Sequence, residues 1–353
     1  MILPQTFGAA LFLSILGLVC LGSWASAYKL AGKFRYELFY VDFALGAALL
    51  AVIYAFTVGT LGVNLDGLSF LDDLGNAGKR QWLFGFLAGI IFNLGNMLLM
   101  SSVSVSGMAV AFPAAFSMAL IVSTVVNILG GGPAGNTTLL LAGCGLLLLV
   151  VIVDAITVNM LGVLRHEALA RAGTAKSTRR PSSMKGVILA VVGGLLMGAC
   201  LPLVDRARES DIGMGPYTLM VLFSLGMLLS TLVFSVFFFN LPAEGDPVGI
   251  KDFLKARPVT HGKGLLAGAV WCTGALALWV TAQAPDVLRD SRALAFFLSQ
   301  GAPLVAALWG LLVWREFRDG DVRVKTMSVV MLVLLACGLA LLALAPVHMP
   351  TSA

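Results

Sequence analysis

Ten runs of apolar residues punctuate the chain, at roughly 7–28, 39–61, 82–102, 107–129, 136–159, 186–204, 216–240, 264–283, 293–314 and 325–346. A helix that crosses the hydrocarbon core of a bilayer needs about 20 apolar residues, so each run is long enough for one crossing. The alternation with period two that marks a membrane barrel is absent. Inside lipid, backbone polar groups must be satisfied within the segment, and the runs therefore predict helices. The pattern predicts an all-α integral membrane protein with ten transmembrane helices.

Small residues within the runs recur in order. Gly17 and Gly22 of the first run match Gly193 and Gly198 of the sixth at an offset of 176, with Ser23-Trp24 opposite Ala199-Cys200. Gly85, Gly89 and Gly95 of the third match Gly264, Gly268 and Gly274 of the eighth at an offset of 179. Pro113 of the fourth then corresponds to Pro303 of the ninth across a connection about eleven residues longer. Isolated glycines are common in membrane helices, but three helix pairs matching in sequence order point to a repeat. Five crossings per half is an odd number, so the second half enters the membrane from the opposite face. The expected organisation is two inverted five-helix repeats, 1–160 and 185–353, joined by a basic cytoplasmic linker, 161–184. Inverted repeats are the mark of alternating-access carriers.

Composition and charge sharpen the membrane reading. Of 353 residues, 59% are hydrophobic and 12% charged, about half the charged share of a soluble domain. The net charge of +5 does not indicate a nucleic-acid partner, because the basic residues lie between apolar runs and form no patch interleaved with aromatics. The expected partners are the lipid bilayer and a small-molecule substrate. Lys79, Arg80, Arg206, Arg208, Arg289 and Arg292 fall on one side of the ten-helix topology and the other 17 of the 23 Lys and Arg on the opposite side. Positively charged loops stay in the cytoplasm. Both termini are therefore expected outside it, in the inner (plasma) membrane of a bacterium-like cell. Met1 to Thr6 carry no basic residue, so the first run is read as a span and not as a signal peptide.

Little in the chain suggests an enzyme. His166, His261 and His348 fall in predicted loops or the tail, and no H-E-x-x-H, nucleophile elbow or phosphate-cradling glycine loop is present. All five cysteines lie within apolar runs, where they read as packing residues, so neither a metal nor another cofactor is expected.

Polar groups inside the runs carry the candidate chemistry, because a charge at mid-membrane costs about 2.5–3.5 kcal/mol even on insertion scales. Asp42 lies near the start of the second run. It is either a carboxylate favoured by the helix dipole or a proton-coupling acid, and Asp154, at the end of the fifth run that the dipole disfavours, calls for a basic partner or a coupling role. Asn93 and Asn96 are three residues apart and share one helix face. Their amides serve either a polar solute or an interhelical hydrogen bond. Gln300 precedes Pro303 by three residues, where a local break bares backbone carbonyls. Trp24 and Trp271, beside the paired glycines, either give a flat platform for a ring or pack between helices. The Gly85/Gly89 and Gly264/Gly268 pairs predict close helix approach within the chain rather than dimerisation, leaving a monomer or a homodimer.

These residues resemble the drug/metabolite transporter superfamily, in the branch holding ureide permeases and bacterial glucose and rhamnose uptake proteins. Leu21-Gly22-Ser23-Trp24 is similar to the L-G-T-W of ureide permeases, and Asp42 falls where their second span begins with L-D-Y. Leu94-Gly95-Asn96 is similar to a G-N element of the rhamnose carriers. Gln300, Pro303-Leu304-Val305, Trp309-Gly310 and Glu316-Phe317-Arg318 resemble the Q-x-x-P-L-V, W-G and E-Y-R run. Ala25 stands where the plant proteins have proline, and their long hydrophilic central insert is missing. The resemblance implies a secondary active transporter that imports a small polar metabolite, a sugar or a ureide- or nucleobase-like compound, by proton symport. H+ is the expected coupling ion, Asp42 and Asp154 the coupling acids, and Trp24, Asn93, Asn96, Trp271 and Gln300 the substrate-binding residues. Two other readings stay open: a proton-antiport exporter of drugs or metabolites, and a non-transporting membrane sensor or scaffold.

Overall fold

The computed structural model describes residues 1–61, 68–130, 135–171, 184–283 and 292–346, and contains no strand among the described residues. The helices are α1 (Phe7–Ser23), α2 (Ser26–Leu30), α3 (Tyr36–Phe56), α4 (Val58–Leu61), α5 (Phe70–Asn76), α6 (Lys79–Ser106), α7 (Met108–Leu129) and α8 (Thr137–Arg171). They continue with α9 (Met184–Arg208), α10 (Pro216–Asn240), α11 (Ile250–Leu254), α12 (Pro258–Ala282), α13 (Arg292–Gln300), α14 (Ala302–Leu308), a π-helical turn (Trp309–Val313) and α15 (Val322–Leu344). Their starts follow local chemistry. Thr6 and Asp321 cap α1 and α15 through their side-chain oxygens, Ser69 and Asp72 form a capping box on α5, and Pro216 and Pro258 occupy first-turn positions.

Among the described residues, eight helical segments are long and apolar enough to cross a membrane: Tyr36–Leu61, α6, α7, α8, α9, α10, α12 and α15. A bent pair, Leu294–Gln300 with Ala302–Val313, makes a ninth if taken as one span. The ninth run is broken at Gly301 because Pro303 has no N–H to bond the Ser299 carbonyl. The first run divides around Trp24 and Ala25, which leaves α1 with 17 residues. α8 continues beyond the end predicted at 159 to Arg171, and residues 172–183 of the predicted linker lie outside the described residues.

The outer faces of these helices are apolar, unlike those of a soluble protein. On α10, Leu232, Val233, Val236 and Phe237 are 59–68% exposed, whereas Ser230 and Thr231 are buried. Lipid solvates the apolar side chains, so polar groups turn inward to find partners.

The chain clusters into two compact units, one formed by residues 1–97 and 199–302 and the other by 98–198 and 303–353. Each takes segments from both halves of the sequence. In the first unit α3 packs against α10 and α12, and α1 against α12. Element starts recur along it: Tyr36 and Pro216 at an offset of 180, Phe70 and Ile250 at 180, Lys79 and Pro258 at 179. Side-chain-free crossings recur at the same offsets. Where α3 meets α12, Gly268 lies against the Phe43 carbonyl oxygen and Gly46 against that of Leu265. Where α6 meets α10, Gly89 lies against the Phe223 carbonyl oxygen and Gly226 against that of Phe86. A Cβ at any of the four would overlap backbone, so the glycines set the interhelical distance within the chain.

The connections are tied to the helix heads. The Gly215 N–H at the head of α10 donates to Asp73 Oδ2 of α5 at 2.9 Å, and burial pushes the Asp73 carboxyl above its ordinary range. Ahead of α3, Arg35 Nη1 donates to the Asp246 carbonyl at 3.0 Å, on the connection that follows α10.

In the second unit α8 packs between α7 and α15. Glu316 closes the head of α7, accepting from the Met108 and Ala109 N–H groups at 2.9 and 2.8 Å. Gly107, with φ of 91°, is the cap residue, and a Cβ there would strike the Glu316 carboxylate.

Candidate functional site

One face of α3 carries Phe39, Tyr40 and Phe43, all fully buried, with Asp42 beside them at 4% exposure. The helix begins at Tyr36, three residues earlier than predicted, so Asp42 lies past the first turn. The first-turn acid is Glu37 instead. It is fully buried and receives Arg35 bidentately at 2.8 and 3.2 Å. That contact also raises the Arg35 guanidinium above its ordinary value.

Asp42 has a specific partner: its Oδ2 is 2.7 Å from Nδ1 of His261. The prediction that His261 lies in a loop is corrected here, since α12 begins at Pro258 and His261 sits in its first turn. Three residues on, Gly264 packs directly against the Asp42 Cβ, so the absence of a side chain at 264 lets α3 and α12 approach closely enough for the pair to form. The other ring nitrogen, Nε2, is 3.1 Å from the Phe253 carbonyl oxygen of α11. Phe253 and Phe34 flank the imidazole edge-on at 4.6 and 5.7 Å between ring centroids.

Toward the middle of the same face lies a continuous polar chain. Asn96 Nδ2 donates to the Tyr40 hydroxyl at 2.9 Å, and that hydroxyl donates to Asn93 Oδ1 at 3.0 Å. Asn93 Nδ2 donates to Ser230 and Thr231 of α10 at 2.9 and 3.0 Å. Asn93 is thus engaged at both ends of its amide, and Asn96 through its Nδ2. Aromatic rings surround this chain. Trp24 is 4.6 Å from Phe43, and Trp271 is 5.9, 5.3 and 6.2 Å from Phe43, Phe92 and Phe223. Trp24, Asn93, Asn96 and Trp271, predicted from three separate runs, meet around Tyr40 and Phe43 in one cluster. None is more than 4% exposed, and the cluster is closed.

Two predicted residues lie elsewhere. Gln300 ends α13, is half-buried, and contacts its neighbour Ser299. Asp154 belongs to the second unit, on the face of α8 that is buried at Val150, Val151, Thr157 and Val158, and its Oδ2 has no hydrogen-bond partner among the described residues. An apolar cavity of about 430 Å3, lined by residues such as Phe12, Tyr54, Tyr217 and Leu276, opens at the other end of the first unit and includes none of the predicted site residues.

Sequence reasoning missed His261, Tyr40, Glu37 and the Ser230-Thr231 pair. His261 was legible in one respect: it lies three and seven residues before Gly264 and Gly268, hence on the helix face those glycines define. Tyr40 carried no signal, because an aromatic residue in an apolar run is ordinarily packing.

Long apolar helices, polar groups turned inward and a buried acid paired with a histidine define an integral membrane protein built to handle polar species within the bilayer. The chain belongs to the sugar transport protein family, whose model matches residues 44–344. It is a multi-span membrane transporter. Ureide permease 4 and Ureide permease 1 of Arabidopsis thaliana are each 22% identical to it, over 97% of this chain and 98% of their own length. Ureide permease 5 of the same plant is 26% identical over 148 residues, 40% of this chain and 35% of its own.

Proposed function

We propose that the protein imports a small polar metabolite, a sugar or a ureide- or nucleobase-like solute, across the plasma membrane by proton symport with alternating access. The buried Asp42–His261 contact at 2.7 Å carries this reading. Similarity to ureide permeases and membership of a sugar transport family support the solute class.

The contact acts as a store for one proton. Both ring nitrogens of His261 face acceptors, and the Phe253 carbonyl only accepts, so Nε2 bears a proton. Nδ1 either bears a second proton toward ionised Asp42 or accepts one from the neutral carboxyl. In both forms the pair is uncharged overall. Releasing that proton leaves net negative charge in an apolar setting and one unmatched contact, which loosens the tie among α3, α11 and α12. Asp154 serves as a second coupling acid in the other unit.

Opening of the aromatic cluster exposes Trp24, Trp271 and the Asn96 amide to a flat or ring-shaped solute. Asn93 supports that face by holding α6 against α10, and Gln300 adds an amide beside the break at Gly301. In this reading α1 and the bent α13–α14 pair complete ten crossings in two inverted five-helix repeats, supported by the matched element starts and reciprocal glycine crossings. The protein works as a monomer or homodimer with both termini outside the cytoplasm. A cytoplasm-dependent fluorescent reporter at the C-terminus stays dark if that topology holds, and fluorescence overturns it.

In proteoliposomes, Asp42→Asn abolishes solute accumulation driven by an inward proton gradient while solute counterflow persists. Undiminished accumulation overturns the coupling role. Efflux driven by the same gradient marks a proton-antiport exporter instead.

A further inference from the structure

In the second unit, α14, the π-helical turn and α15 enclose a groove of about 390 Å3 walled by Leu308, Leu312, Val329 and Leu332. Leu312 and Val329 are 68% and 60% exposed, so the wall faces the lipid that surrounds these helices. Arg315, Arg318 and Lys325 line the same groove. All three are exposed, and none forms an ion pair among the described residues. Arg315 holds a left-handed φ of 49° where the π-helical turn gives way to the following turn, a conformation uncommon for a residue with a side chain.

The neighbouring acids do not neutralise these cations. The Glu316 carboxylate accepts from the Met108 and Ala109 N–H groups, Asp319 faces Arg165 at 3.5 Å, and Asp321 caps α15 by accepting from the Val324 N–H at 3.0 Å. The groove thus joins a mainly apolar wall to three cations that no carboxylate engages in an ion pair among the described residues.

We propose that it binds one anionic phospholipid, with an acyl chain against the leucine and valine wall and the phosphate among Arg315, Arg318 and Lys325. Basic pockets at the ends of transmembrane helices attract acidic head groups. A zwitterionic lipid offers no net charge to match three cations, and free phosphate offers no chain to fill the groove. The site is separate from the Asp42–His261 contact and does not depend on the direction or the coupling of transport.

The test is native mass spectrometry of the full chain in detergent, titrated with palmitoyl-oleoyl phosphatidylglycerol or with the matching phosphatidylcholine. One phosphatidylglycerol is expected to be retained at a concentration roughly tenfold or more below that for phosphatidylcholine. The triple variant Arg315→Gln/Arg318→Gln/Lys325→Gln loses the preference while keeping its melting temperature in phosphatidylcholine nanodiscs. Val329→Trp keeps every cation, fills the groove and also loses the retained lipid. Lys79→Gln/Arg80→Gln, which removes charge elsewhere, keeps the preference. The proposal is overturned if the triple variant or Val329→Trp still selects phosphatidylglycerol, if Lys79→Gln/Arg80→Gln loses it equally, or if inorganic phosphate displaces the lipid.

Discussion

At Gly264 of α12 the neighbouring helix presents the Asp42 side chain, while at Gly85 of α6, offset by 179, the neighbours are Leu219 and Met214. The positions matching Asp42 and His261 at offsets of 180 and 179 are Leu222 and Trp82. Both crossings are built on the same reciprocal contacts of glycine with carbonyl oxygen. They share a backbone and differ in chemistry. Close glycine packing is thus the means of assembly, supplied twice, and the ionisable pair is an addition to one copy only. The proposed coupling role falls on what the repeat does not duplicate.

The largest effect expected is on that asymmetry. Asp42→Leu copies the apolar counterpart but leaves His261 without its partner, and removing one member of a buried pair costs about 3–5 kcal/mol. Adding His261→Leu should restore stability to near that of the parent, because well-packed apolar residues in place of a buried pair are often neutral or stabilising. Proton-driven accumulation should stay lost. Thermal unfolding in detergent and uptake in proteoliposomes separate the two effects. A double variant that still accumulates solute removes the functional meaning of the asymmetry.

Next in size are the shared glycines. Gly268→Ala and Gly89→Ala each drive a Cβ into a carbonyl of the facing helix, and overpacking of this kind costs about 1–3 kcal/mol. Equal losses of melting temperature are expected. If one crossing tolerates alanine, the two are not built alike.

The glycines were also the part of the fold most legible in the sequence. Their spacing paired the third run with the eighth and indicated intrachain contact, because a missing side chain has one principal use in a membrane helix. The boundaries were less legible. α12 starts six residues before its apolar run, at Pro258, and this hid His261 in an assumed loop. Of the site, Asp42, Asn93 and Asn96 stood out because polar groups are rare in lipid. Tyr40 joins the two amides and has the sequence appearance of packing. That Trp24 and Trp271 converge on Phe43 depends on which helices neighbour one another, and hydropathy does not encode neighbours.

Tyr40 gives a third and smaller test. Tyr40→Phe keeps the ring against Phe43 but removes the hydroxyl that receives from Asn96 and gives to Asn93. Leaving buried amides short of a partner costs about 1–3 kcal/mol, and the low end applies because Asn93 retains Thr231. The expected result is a fall in melting temperature smaller than for Gly268→Ala, with weaker solute binding and unchanged proton coupling. If coupling fails with binding intact, Tyr40 belongs to the proton path and not to the amide cluster.

The smallest effect lies at Ser230. Its hydroxyl accepts from Asn93 Nδ2 at 2.9 Å, but Thr231 accepts from the same nitrogen at 3.0 Å, so Ser230→Ala leaves the amide with a partner. Interhelical hydrogen bonds in membranes average about 0.6 kcal/mol, and the redundancy keeps this substitution at or below that figure. Thr231→Val preserves shape and removes a hydroxyl that both accepts from and donates to Asn93, so it should cost more than Ser230→Ala. At the other crossing the residue matching Asn93 at an offset of 179 is Cys272, facing no such pair, since Leu50 and Ala51 stand where Ser230 and Thr231 do. Asn93 therefore repeats at the centre of the unit the one-sided polarity that Asp42 and His261 show nearer its end. If Ser230→Ala and Thr231→Val are equally silent in thermal unfolding, Asn93 takes no part in holding α6 to α10, and its amide becomes available to the solute.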